Sequence, residues 1–522
     1  MGSVRAAHGM VVTADQVATQ AGMAAFARGG NAVDAAIAAN AAIAVTGPHL
    51  CGLGGDLFAI VCRRDDPSAQ GVVALNASGR AGSGVDAAAL RAAGHTEVPF
   101  RRDLAAVTVP GCVDGWLALH DRFGSLPLGT LLEPAVRLAD DGFPASPLLV
   151  GSLMMVDEAA SAALHELADQ AHRPGARVRR PGVARTLRAV AAQGRAGFYG
   201  GEFGEGLLAL GGGVFSPADL AREHADWVVP LRADVFGAEV STIPPNSQGY
   251  LTLGAARLAD AVGVPADPDD PRWAHVLVEC AIAAAHDRPD VLHEAAGGDA
   301  LLRAIDGRAG SIDTERATPR PLAPRQGDTT YLCTADDALA VSLIQSNASG
   351  FGSWLVEAST GINLHNRGIG FTLAPGHPAE LAPGRRPPHT LSPAMVRRDG
   401  KLAVVLGTMG GDAQPQILLQ LAVRLLRHGQ GPAAALDAGR WVLRGPSTGF
   451  DTWTGGDQPI VALEDHAPAA WRDDLARRGH RVEVRSSVDG GFGHAHVIAV
   501  EPTGMLAAAA DRRAWIGSAA GL

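Results

Sequence analysis

The stretch Gly327–Ser353 reads GDTTYLCTADDALAVSLIQSNASGFGS. Two β-rich runs, TTYLCTAD and ALAVSLIQSN, flank Asp336-Asp337, so this segment is predicted to be a hairpin with its turn at that pair. Immediately upstream, RATPRPLAPRQG (316–327) carries three prolines and three arginines. Such a segment suits neither a helix nor a central strand and is expected to lie extended on the surface. Thr329 therefore stands where an exposed segment runs into the head of a strand. A threonine hydroxyl is a poor nucleophile unless a base sits beside it, and its own α-amine can serve. An internal threonine has no such amine, so the Asp328–Thr329 bond would have to break first. The other reading is plain β-propensity, with a Thr-Thr pair opening a strand. Spacing alone leaves both open.

Working outward, the segment 15–28 has an apolar face at helical spacing and stops at Gly29-Gly30. Asn31 is placed to cap a second, Ala-rich helix running to about Val45. Strands are expected at 57–62 and 71–75, a mainly helical region at 108–193, strands at 227–242, and helices at 247–262 and 273–286. Beyond the hairpin, strands are expected at 404–406, 482–484 and 496–500, and helices at 416–428 and 468–478. Strands framed by helices at both ends predict two sheets between helical layers.

Composition excludes several classes. The 522 residues are 47% hydrophobic and only 19% charged, which rules out a disordered chain. A net charge of −10 and 5% aromatics argue against a nucleic-acid groove or a base-stacking platform. No run is apolar enough to span a bilayer. The N-terminal residues lack the apolar stretch of a secretory signal, so a cytoplasmic protein is expected. The five cysteines, Cys51, Cys62, Cys112, Cys280 and Cys333, are far apart and read as reduced core thiols. GPSTG (445–449) reads as a loop rather than a nucleophile elbow, because Pro446 precedes Ser447 and no helical pattern follows. His494 and His496 share one strand face but read as ordinary strand-edge histidines, and no metal site or cofactor is expected.

Further motifs bring in a family. The hairpin segment resembles the start of the small subunit of the γ-glutamyltranspeptidase family. The likeness continues in STGINLHNRGIGF (359–371), RRPPHTLSPAMV (385–396) and GTMGGDAQPQ (407–416). Upstream it includes HGMVVTADQVATQAG (8–22), GPHLCGLGGDLFAIV (47–61), VPGCVDGW (109–116) and ECAIAAAHDR (279–288), and it extends to ALDAGRW (435–441) and GHRVEV (479–484). The resemblance implies an α+β fold, the four-layer αββα N-terminal-nucleophile (Ntn) hydrolase architecture. It also implies autocatalytic cleavage between Asp328 and Thr329. Residues 1–328 would form a large subunit and 329–522 a small one, together one domain, as a heterodimer that could pair again. Thr329 matches the nucleophile. Gly410 and Gly411 match the glycines whose N–H groups form the oxyanion hole, and Asn347 matches the asparagine that steadies the nucleophile and its amine. Gln345 falls at the position of a threonine that contacts the nucleophile.

The residues that hold a γ-glutamyl group in the family are largely replaced. The carboxylate-binding arginine falls on Ser78, with Arg80 two residues on. The glutamine and aspartate that hold the α-amine fall on Arg367 and Gly370, and a Ser-Ser pair falls on His389-Thr390. Losing the aspartate removes the partner of an ammonium group, and Arg367 adds a cation that repels one. The pocket is therefore expected to favour a small-molecule substrate whose acyl group is acidic but lacks an α-amine. Three readings stay open: an amide hydrolase or acyltransferase, a carbon–carbon bond hydrolase of an antibiotic pathway, and a silent, uncleaved homologue that binds a small acid.

Overall fold

The computed structural model describes residues 2–318, 328–444, 459–487 and 490–522. Two antiparallel seven-stranded sheets pack face to face. The first runs in the order 518–521, 9–13, 328–336, 339–348, 56–63, 72–77, 226–228. The second runs 4–6, 506–510, 495–500, 401–408, 394–398, 238–242, 231–235. Strands from before and after residue 328 hydrogen-bond within both sheets, so that position is no domain boundary.

Pleating sorts the side chains into layers. Tyr331, Cys333 and Ala335 face the second sheet and meet Met395, Val405 and Ile498 in the core between the sheets. Leu332, Val341 and Leu343 face the other way, against the helices Ala32–Thr46, Cys112–Phe123, Leu128–Asp141 and Pro181–Gln193. On the far side, the helices Gly249–Val262, Pro271–Ala285 and Gln414–Ala422 cover the second sheet. This is the αββα order that was expected.

The Ala-rich helix shows how sequence makes the packing. Asn31 and Asp34 form a capping box, and every residue from Ala32 to Thr46 is buried. Asp34, buried in its first turn, also accepts hydrogen bonds from the Ser125 N–H at 3.1 and 3.2 Å. Small side chains let this helix lie between the sheet and its neighbours without large rotamers to order.

The predicted hairpin forms as Asp328–Asp336 and Leu339–Ala348. All five cysteines are buried and unpaired. GPSTG and most of the Pro/Arg-rich segment lie outside the described residues. His494 and His496 are buried, not exposed at an edge: the strand Ala495–Val500 is interior to its sheet, and His496 stacks on Tyr331. Among the described residues, no helix is long and apolar enough to cross a membrane.

Candidate active site

Thr329 lies at the inner face of the first sheet, almost wholly buried, and its Oγ1 donates to Ser346 Oγ at 3.0 Å. Asp328 pairs with Ala348 and Thr330 with Gln345, so Ser346 and Asn347 together oppose the single residue Thr329. That is a β-bulge, a device that re-aims a side chain at a strand end. Asn347 donates from Nδ2 to Pro48 O at 3.1 Å, while its buried Oδ1 has no hydrogen-bond partner among the described residues.

Gln345 does not reach Thr329. It lies on the opposite pleat, where its amide donates to Gly52 O and Cys112 Sγ and accepts from Asn40 Nδ2 at 3.2 Å. The strand alternation that puts Thr329 inward puts Gln345 outward, so Ser346 is the neighbour that the alignment assigned to Gln345.

From Ser346 the contacts lead to the loop residues that precede the strand Ala394–Arg398 of the second sheet. Ser346 pairs in register with Asp56, and Asp56 Oδ2 lies 3.2 Å from His389 Nε2 and 3.7 Å from His365 Nδ1. Asp56 Oδ1 accepts from the Gly79 N–H at 2.8 Å. Burial alone would raise the Asp56 pKa, but the two facing imidazoles and the Gly79 N–H hold it down at about 2. Burial, helped by Arg367 and opposed by Asp56, pushes His389 down to about 4. The pair is therefore a carboxylate beside a neutral imidazole at neutral pH.

Thr390 follows. Its Oγ1 accepts from Arg367 Nη1 at 3.2 Å, and its carbonyl accepts from Gln248 Nε2 at 2.9 Å. The same Gln248 amide donates to Gly411 O at 2.9 Å. Gly410 and Gly411 have φ of +139° and +56°, which favour glycine and turn the chain sharply after the strand Lys401–Thr408. Among the described residues neither glycine N–H donates a hydrogen bond. Asp412 comes next, and its Oδ1 lies 3.4 Å from Arg288 Nη2.

Arg288 and Arg367 border one cavity of about 150 Å³, with Gly370 and Pro388 in the wall and Glu97 and His377 also lining it. Both arginines are buried, whereas Glu97 is exposed at the rim. Burial and then the neighbouring Arg288 lower Arg367 to about 10, against the pull of Asp412 and Asp56, so it stays cationic at neutral pH. Arg288 carried no signal beyond its place at the end of ECAIAAAHDR; only the fold brings it to Arg367.

Ser78 and Arg80 have other roles. Ser78 donates from N and Oγ to Asn76 Oδ1, and its Oγ accepts from Asn246 Nδ2. Arg80 points to Glu294 at 3.2 Å, Asp226 at 3.5 Å and Gly384 O. It is neutralised by carboxylates and does not line the cavity.

The family profile described as Gamma-glutamyltranspeptidase matches residues 18–521. The chain belongs to the γ-glutamyltranspeptidase family. It is 36% identical to an oxamate amidohydrolase proenzyme of Klebsiella pneumoniae, over 98% of each chain. It is 34% identical to a glutathione hydrolase-like proenzyme of Bacillus subtilis, over 97% of each. A cephalosporin acylase structure from Bacillus halodurans superposes with a TM-score of 0.89 at 33% identity, covering all of this chain and 97% of the other. The four-layer architecture is thus the family's Ntn-hydrolase fold, and this member is a hydrolase of the transpeptidase–acylase group.

Proposed function

We propose that the protein is a self-processing amide hydrolase that acts through Thr329 on a small acyl group bearing a carboxylate and no α-amine. The observation that carries the substrate class is the pair Arg288 and Arg367 in a cavity of about 150 Å³, beside Gly370 where an amine-binding aspartate would stand. Two guanidinium groups suit a carboxylate and repel an ammonium. The small volume favours a short acid, and the likeness to an oxamate amidohydrolase supports that size, because oxamate carries its carboxylate directly on the amide carbonyl.

In this reading, breaking the Asp328–Thr329 bond frees the Thr329 α-amine. The buried Oδ1 of Asn347, opposite Thr329 across the bulge and without a hydrogen-bond partner among the described residues, offers that amine an acceptor. The amine takes the hydroxyl proton as Oγ1 attacks the amide carbonyl. The Gly410 and Gly411 N–H groups receive the developing oxyanion, a contribution worth about 3 kcal/mol per donor in related chemistry. The amine leaving group departs protonated, and water then hydrolyses the Thr329 ester to release the acid.

The test is a substrate panel: oxamate, a glutaryl amide and γ-glutamyl-p-nitroanilide, assayed with wild type and Arg367→Leu. Turnover is expected for the acids without an amine, and oxamate should be the best of them. Arg367→Leu should raise KM for these by about tenfold or more, the loss of one charge-assisted contact. Efficient turnover of the γ-glutamyl compound, with KM unchanged in the variant, would contradict the assignment.

A further inference from the structure

A second polar cluster lies apart from the site, in the outer helical layer. His275 and Glu279 are four residues apart on the helix Pro271–Ala285, so they share one face. His480 meets them after Gly479 ends the helix Ala469–Arg478 in a left-handed turn, with φ of +102°. His275 Nδ1 and His480 Nε2 are 2.8 Å apart, and His480 Nε2 lies 3.8 Å from Glu279 Oε1. The three ligand atoms lie within 4.8 Å of one another, and all three residues are buried.

The surroundings orient these atoms. His275 Nε2 lies 3.0 Å from Asp313 O. With its proton on Nε2 for that carbonyl, the ring turns the Nδ1 lone pair inward. Glu279 Oε1 accepts from the Thr318 N–H at 3.1 Å, which fixes the carboxylate. Backbone partners of this kind are what aim metal-binding histidines and carboxylates. Arg478, whose charge reaches both imidazoles, is tied to Asp474 at 2.6 Å and Glu315 at 3.2 Å.

We propose that His275, Glu279 and His480 bind one divalent transition-metal ion of the zinc class, with water completing the shell. Two nitrogens and one oxygen suit such an ion, and the gaps of 2.8 and 3.8 Å lie on either side of the about 3.3 Å between ligands around a tetrahedral centre with bonds of about 2 Å. The alternative is a plain His–His hydrogen bond, with the proton on His480 Nε2. Because two ligands precede residue 328 and one follows it, the ion would clamp the two halves of the chain together. The site stands whether or not the chain is cut.

The full-length protein, stripped with a chelator, should be titrated with Zn²⁺ by calorimetry and with Co²⁺ by visible absorption. The expected result is one equivalent bound at micromolar concentration or tighter, with the intense visible bands of four-coordinate Co²⁺. Zn²⁺ should also raise the unfolding temperature of wild type. His480→Ala should weaken binding about a hundredfold and abolish the Co²⁺ bands. Glu279→Gln keeps the shape of the side chain and serves if His480→Ala fails to fold; it too should weaken uptake. Lack of stoichiometric uptake by wild type would overturn the proposal. So would uptake by Glu279→Gln and by a His275→Ala/His480→Ala double variant that equals that of wild type.

Discussion

Ser346 is the clearest single-residue consequence of the geometry. Its Oγ accepts from Thr329 Oγ1 at 3.0 Å and from the Ala348 N–H at 2.8 Å, so it holds the hydroxyl and closes the bulge at once. With Thr329 as the proposed nucleophile, Ser346→Ala should lower kcat by about tenfold with little change in KM, because the lost bond would orient the attacking oxygen rather than the substrate. The stability cost should be about 1 kcal/mol, one ordinary hydrogen bond. Steady-state kinetics with urea unfolding checks both. An unchanged kcat would show that the Thr329 hydroxyl is steadied elsewhere.

At the scale of elements, the two sheets are joined where Tyr331 crosses to Gly407. A Cβ on Gly407 would lie 2.2 Å from Tyr331 Cε2. The ring cannot swing clear, because it is buried, stacks on His496 and hydrogen-bonds Ser342 Oγ at 2.9 Å through its hydroxyl. Gly407→Ala should therefore destabilise the protein by about 2–3 kcal/mol, the scale of core overpacking, as read from denaturant unfolding. A loss within about 0.5 kcal/mol would mean that the sheets part easily. The same elements show what sequence could reveal. The hairpin, the capped Ala-rich helix and the layer order were legible because alternation and capping are local signals. The short strand Ala394–Arg398 was not, since AMVRR follows a Pro-rich run and offers too few residues for a period. In the candidate site, Thr329, Asn347, Gly410, Gly411 and Arg367 were proposed from motif. Ser346, Arg288 and the Asp56–His389 contact needed the pleat, the bulge and long-range packing, none of which leaves a mark at one position. Arg80 misled because a cation two residues from an aligned position says nothing about the carboxylates that the fold brings to it.

At the scale of the whole molecule, buried imidazoles set the response to acid. Burial pushes His389 and His494 down to about 4 and His49 and His496 to about 3, against 6.5 when free. The unfolded chain protonates these groups first, so it binds more protons than the native state once pH falls below about 6.5. Their contribution is fully present above that pH and is lost progressively as pH falls toward their folded values. Asp56, held at about 2 against 3.8, adds a loss of the same sign at lower pH. The expected cost by about pH 5 is on the order of 2 kcal/mol per imidazole, so urea midpoints should fall steeply between about pH 7 and pH 5. A flat profile over that range would show that these rings take up protons as readily in the native state as in the unfolded chain.

The interleaving of both halves in both sheets means that a cut at residue 328 would leave the fold whole. The central claim, that Thr329 becomes a chain terminus and then the nucleophile, is tested most directly by intact mass and N-terminal sequencing of purified wild type and Thr329→Ala. Wild type should give two fragments, 1–328 and one that begins with Thr329, while Thr329→Ala should stay a single inactive chain. An intact wild-type chain, or a Thr329→Ala protein that still splits at this bond, would contradict the account.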